Sequence, residues 1–363
     1  MNILSYKSNS DEAMRRLRSL YERRASDRIF ALFRVPSATL KKFKEDNPEV
    51  NCDYPDPTTR IAFWDNLLQE RMHLEDDSIP NAYLTEFDQG LYGGILSGEV
   101  WFMSDPESGW ISSMVPPLLK DWGEFDSLKI DPSHSWYRTY LHQLEMFVER
   151  SRGKFGISHL ILINPLNLAF ELVGATMTYI SMIENPEMLR KTIALAFDLN
   201  MLVQNCFFEK GTLVNGGTCS NMVEWIPGRI ISESVDPFHM TSVDDFEKWG
   251  REPLERMFSQ FDGGVLHIHG NGRHLLGAVS KLRGLKAIYL GDDRGFPLAF
   301  DILDELRKRV SDVPLVVEVN YSHFAKSLSQ HRLCGGVLYK VNGTPDVETA
   351  NKCMEEVCAY RGY

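Results

Sequence analysis

His267-Ile268-His269-Gly270 closes the apolar run 263–269. Along a strand, residues i and i+2 face the same side. The two imidazoles therefore point one way, and a glycine follows where the backbone turns. Neutral histidine is a common transition-metal ligand, so a same-side pair is half of a metal site. The competing reading makes one histidine a core residue and the other a cap for the next helix. Other chemistry-bearing residues stand at the ends of later apolar stretches. Asp292 and Asp293 follow 287–290, Glu318, Asn320 and Tyr321 end 315–319, and Cys334 precedes Gly335-Gly336. Two imidazoles, a carboxylate and a thiolate can make a tetrahedral zinc site. The expected ligands are His267, His269 and Cys334, with Asp292 or Glu318 as the fourth ligand or a nearby base. Each has a structural alternative. Asp292 can cap a helix, Glu318 can pair with Arg294 or Arg332, and Cys334 can be a small buried apolar residue.

Asn164, Asn215, Cys219, Glu224, Glu233 and Asp236 also fall near expected strand ends and are candidates for the rim of a pocket. Residues 224–228 (EWIPG) read as a loop with an exposed aromatic, more simply a packed lid than a chemical element. Cys206 and Cys219 have no histidine partner nearby and read as structural. No GxSxG elbow is present.

Strands must position these groups. Apolar strand stretches are expected at 29–35, 82–87, 159–164, 212–216, 264–269, 287–290, 315–319 and 332–336. Helical patterns at 11–25, 186–206, 271–282, 297–310 and 346–359 separate or flank them, with Asn185 as an N-cap and Pro186 in the first turn. The last third reads as βα repeats, which suits a parallel sheet. Eight strands suggest an α/β fold of the (β/α)8 TIM-barrel type, in which chemistry gathers at the carboxyl ends of the strands. An open doubly wound sheet is the alternative, but no GxGxxG follows a strand. Residues 1–363 read as a single domain. The stretch 42–134, rich in Pro, Asp and Trp, is expected to be a partly helical excursion near one barrel face.

Composition narrows the function. The 363 residues carry a formal net charge of -11 with no basic stripe, which argues against nucleic acid. Six cysteines without a CxxC pair point to a reducing compartment rather than a disulfide scaffold. No apolar signal-peptide core opens the sequence, so a cytoplasmic location is expected. The apolar stretch 159–183 contains Asn164, Pro165, Asn167 and Glu171, and reads as a strand and helix rather than a membrane span.

Several motifs, in order, carry a family resemblance. Leu172-Val173-Gly174-Ala175-Thr176 and Ile183-Glu184-Asn185-Pro186-Glu187 precede a long helix. The stretch 234–242 (SVDPFHMTS) resembles an acidic turn before "mlSP", and His267-Ile268-His269-Gly270-Asn271 resembles "H-x-C-G-n". The ending Gly335-Gly336-Val337 to Gly343-Thr344-Pro345-Asp346 resembles "G-N-v…GTPEdV". Together with the opening 15–35 they span nearly the whole chain, and it resembles the uroporphyrinogen decarboxylase superfamily. The resemblance implies a (β/α)8 barrel. The decarboxylases carry an Arg-rich "RQAGRYLPE" segment, and nothing like it follows Phe33-Arg34-Val35-Pro36. The other branch consists of zinc-dependent methyltransferases, in which His-x-Cys and a distant Cys hold the metal. Here His267 matches, His269 replaces the central Cys, and Cys334 falls in a suitable place. The implied activity is transfer of a methyl group from a methylated corrinoid protein to a thiol or tetrahydrofolate. Zn2+ would activate the thiol, and a partner protein would carry the corrinoid. Two other readings stand beside it. One is a decarboxylase-like protein or tetrapyrrole binder without metal. The other is a metal-dependent hydrolase, for which His-x-His lies unusually far along the chain.

Overall fold

The computed structural model describes residues 4–84 and 88–362. Its strands, in chain order, are β1 (Ile29–Phe33), β2 (Asn51–Cys52), β3 (Asn81–Tyr83), β4 (Trp101–Asp105), β5 (Trp110–Met114), β6 (Gly156–Ser158) and β7 (Gly217–Ser220). β8 (Glu224–Pro227), β9 (Ile231–Ser234), β10 (Gly264–Ile268), β11 (Leu285–Leu290), β12 (Leu315–Asn320) and β13 (Val337–Asn342) follow. The fold is mixed α/β. Six strands form an all-parallel sheet in the order β1-β13-β12-β11-β10-β9. Helices follow its later strands, as parallel crossovers require. A second sheet, β3-β6-β7-β8, is parallel except for the β7–β8 hairpin, and β2-β4-β5 form a small antiparallel sheet. A parallel bridge, Leu162 to Glu233, joins the segment after β6 to β9.

At the other edge of β1, two aspartate side chains and one backbone bond, Asp77 N–H to Ala31 O at 2.9 Å, take the place of a paired strand. The Asp77 carboxylate accepts from the Ala31 N–H at 3.0 Å, and the Asp76 carboxylate accepts from the Phe33 N–H at 2.7 Å. Arg16 grips Asp77 and Lys7 grips Asp76, at 2.6 and 2.7 Å. Lys7 and Asp76 are both almost fully buried. Removing one member of such a pair strands a buried charge and costs about 3–5 kcal/mol. Among the described residues the strands do not close into a continuous hydrogen-bonded barrel.

Burial explains the strand register. β1 and β12 are apolar almost throughout and β13 is buried on both faces, as central parallel strands should be. Ile29, Leu315, Val317, Val337, Tyr339 and Val341 pack with the helices. Phe30, Leu32, Val265, Ala287, Val316 and Leu338 form a separate inner cluster. Two residues further on, that inner face becomes polar, with His267, Tyr289, Glu318 and Lys340.

Several expectations need correction. The expected strand 159–164 is instead the segment after β6, with one bridge at Leu162. The stretch 332–336 is not a strand. Gly336 turns the chain at φ +69°, its N–H donates to Arg28 O, and β13 begins after it. The stretch 212–216 is the approach to β7, and the strand beside β10 is β9, which the sequence reading passed over. Residues 224–228 include a strand whose Trp225 is buried, with its Nε1–H donating to Val214 O. Asn185 precedes Pro186–Glu209 but makes no side-chain cap. Of the expected strand 82–87, residues 85–87 lie outside the described residues. No single described helix is long and apolar enough to cross a membrane. The pair Pro165–Val173 and Ala175–Glu184 passes only together, with a 115° bend between them.

Candidate metal centre

The two histidines stand at the exit of β10. His267 pairs in register with Ser234 of β9 and Tyr289 of β11, and His269 opens the 3-10 turn Gly270–Leu275. Alternation does what the spacing required: the rings lie 4.3 Å apart, centroid to centroid. Asp236 enters beside them from the 3-10 turn Asp236–Met240 that follows β9. Ligand atoms of Asp236, His267 and His269 all lie within 4.8 Å of one another, and each residue is half-buried.

Each member is held by a specific contact. The Asp293 Oδ1 lies 2.8 Å from His269 Nδ1, while its Oδ2 accepts from the Asn271 N–H. Burial alone would raise the Asp293 carboxyl, but Asn271 and the His269 ring hold it below the usual carboxylate range. Asp293 is thus an acceptor for Nδ1–H, which leaves Nε2 of His269 as a lone pair, 3.7 Å from Asp236 Oδ1. The His267 ring stacks on Tyr289 at 4.7 Å and 16°. Burial, then the neighbouring His269 and His239, push its pKa down to about 3, so its ring is neutral and can donate a lone pair. His239 lies 3.6 Å from Asp236 Oδ1 and is likewise driven down, to about 4, chiefly by burial. Asp236 Oδ1 is buried without a hydrogen bond, and so is His239 Nε2. An unbonded carboxylate oxygen among three imidazoles is an arrangement that a cation would satisfy.

Two glycines make room. A Cβ at Gly291 would lie 2.5 Å from His267 Nε2, and one at Gly272 would lie 2.0 Å from the His239 ring. The site therefore depends on close backbone approach as well as on its donors.

The remaining expected residues go elsewhere. Asp292 Oδ1 accepts from Arg273 at 2.9 Å and from the Ala299 N–H at 2.7 Å, so it ties the loop after β11 together. Glu318 accepts from Tyr289 Oη at 2.5 Å and from Asn342 Nδ2 at 3.0 Å, and faces Arg34 at 4.0 Å. Burial would raise Glu318, but Arg34 and these donors hold it below the usual range. It supports the ring under His267 rather than joining the ligand cluster. Cys334 is a correction. It precedes β13, whereas the histidines end β10, so in a parallel sheet they lie at opposite ends. Its Sγ donates to Asp304, and burial pushes the thiol up to about 12. The thiolate proposed for the metal is thus neither near it nor readily formed. Asp236 had been placed only on the rim. The signal that could have found it was its position at the exit of the missed strand β9.

Neither a family model nor a curated protein sequence matches the chain. Among solved structures it is similar to a methyltransferase from Methanosarcina mazei, with a TM-score of 0.61 and 14% identity. The likeness covers 98% of this chain and 99% of that one. At that identity it is a likeness of fold, carried over the full length of both chains.

Proposed function

We propose that this chain is a metal-dependent methyltransferase built on a (β/α)8 barrel of the uroporphyrinogen decarboxylase type. In this reading it moves a methyl group from a methylated corrinoid protein to a thiol or tetrahydrofolate, in the cytoplasm. The observation that carries it is the convergence of Asp236, His267 and His269 at one strand end. The full-length fold likeness to a methyltransferase supports it.

The residues fit a metal. Asp236 offers an unbonded oxygen, His267 is neutral, and Asp293 fixes His269 with Nε2 free. Two nitrogens and one oxygen suit zinc with an open position. Without a thiolate the set is harder than the His-x-Cys pattern of the methyltransferase branch, and it also resembles the two-His-one-carboxylate sets that hold iron(II). Zinc bound there would lower the pKa of a thiol acceptor. The chain's own residues supply orientation: Asp293 sets the His269 tautomer, and Tyr289, anchored by Glu318, holds the His267 ring.

The test is metal content, followed by transfer from free methylcobalamin to a thiol, read as loss of its absorbance. About one zinc per chain, with transfer lost in His267→Ala, supports the reading. No metal after incubation with zinc refutes it. The absence of a thiolate ligand favours a second reading, a metal-dependent hydrolase. Stoichiometric metal with hydrolysis of test esters, and no methyl transfer, would select that one.

A further inference from the structure

A second polar cavity, of about 120 Å3, opens where β1 and β3 fail to pair. Arg34, Arg71, Lys340, Trp64, Tyr83 and Asn221 line it. Lys340 is buried, and its Nζ makes one hydrogen bond, 2.6 Å to Asn221 O, leaving two donors unused. Among the described residues the Arg71 guanidinium makes no hydrogen bond or ion pair, and the Arg34 guanidinium makes only the 4.0 Å contact to Glu318. Trp64 is 6% exposed, yet its buried Nε1–H has no acceptor. Unused donors thus converge on one small space. The opposing charges are few. Glu224, half-buried in the lining, accepts from Ile79 N–H and faces Lys340 and Arg71, whose charges offset part of its burial; the Lys7 and Asp76 charges cancel each other.

We propose that this cavity binds the carboxylate or sulfonate group of a small organic acid, held by Lys340, Arg71 and Arg34, with Trp64 Nε1–H as a further donor. Guanidinium groups and an ammonium recognise such oxyanions, and a dry site strengthens the attraction. The volume admits a head group and a short chain. Trp110, half-exposed at the edge and 5.3 Å from the Tyr83 ring, leaves an aromatic wall for the carbon part. The cavity lining is linked to the metal centre only through Lys340 and the Tyr289 ring. Lys340 Nζ lies 4.4 Å from the centre of the Tyr289 ring, and that ring lies 4.7 Å from His267. The anion site does not rest on the function proposed above.

The experiment is calorimetric titration of the metal-free full chain with propionate, benzoate and ethanesulfonate at constant ionic strength. Chloride and inorganic phosphate serve as controls. Saturable binding of at least one organic anion, one per chain, is expected. Arg71→Gln should weaken it at least tenfold and Lys340→Met likewise, while Arg283→Gln, at a remote exposed position, leaves it unchanged. If Lys340→Met does not fold, Arg71→Gln and Arg34→Gln decide. Absence of saturable binding, equal binding by Arg71→Gln, or preference for inorganic phosphate overturns the proposal. Because no metal or methyl donor is present, loss of methyl transfer with anion binding intact counts against the proposed function alone.

Discussion

Asp293→Asn isolates the support behind the metal ligands. Asp293 faces two donors, the His269 ring at 2.8 Å and the Asn271 N–H at 3.2 Å. Asparagine keeps the shape but has one acceptor oxygen, so one donor is left facing an NH2 group. The charge that assists the bond also disappears. Such carboxylates behind a metal-bound histidine typically contribute 10–100-fold in metal affinity, about 1.4–2.7 kcal/mol. Asp293 is 28% exposed at its side chain, so solvent screening favours the lower end. About tenfold weaker zinc binding is expected, at unchanged stoichiometry under saturating zinc. The assay is competition against a chromophoric chelator at neutral pH, with circular dichroism to confirm the fold. Asp292→Asn is the contrast. It disturbs the contacts to Arg273 and Ala299, so it should lower stability and leave zinc affinity in place. Wild-type affinity in Asp293→Asn, with weakened affinity in Asp292→Asn, would refute the assignment of the two neighbours.

Other outcomes follow from single contacts. Cys334→Ser should bind as much zinc as the wild type, because Cys334 lies at the other end of the sheet; loss of zinc would restore it to the ligand set. Gly291→Ala should weaken metal binding with little change in melting temperature, since a Cβ 2.5 Å from His267 Nε2 displaces the ring; unchanged affinity would show that His267 has slack. Asp77→Ala should cost about 3–5 kcal/mol in urea unfolding, by stranding Arg16 and freeing the Ala31 N–H; a loss below 1 kcal/mol would make the seam incidental. His159 is buried, and burial lowers its pKa to about 4 against 6.5 for the free side chain. Between those values the unfolded chain binds the proton and the folded chain does not, so stability falls as pH drops from 6.5 to 4. The loss from this group is about 3 kcal/mol. His159→Gln should flatten that acid limb, and an unaltered pH dependence would contradict the burial argument.

The sequence was most legible where local pattern and tertiary environment agreed. β10 to β12 and the His267–His269 pair follow from alternation and apolar runs alone, because those strands are buried wholly within one sheet. Errors arose where glycine carried the meaning. Gly335-Gly336 looked like the end of a strand, but Gly336 is the turn before one, and this shift misplaced Cys334. β9 is short, with two serines and a glutamate among four residues, so no apolar pattern announces it. Its burial is imposed by neighbours distant in sequence, and Asp236 was underrated with it. The division of labour between Asp292 and Asp293 was equally out of reach. Adjacent carboxylates differ here only in which loop donors fold back upon them.

The carboxylate seam beside β1 also bears on how the chain folds. β1 pairs with β13, almost the whole chain away in sequence, so during synthesis its ladder partner is the last strand to emerge. Asp76 and Asp77 emerge far sooner, together with Lys7 and Arg16. They occupy the opposite edge of β1 and satisfy the Ala31 and Phe33 amides. An apolar edge strand left unpaired invites association with other chains. The two aspartates shield one edge of β1 through that wait, so their loss should show in the yield of soluble protein from the ribosome before it shows at equilibrium.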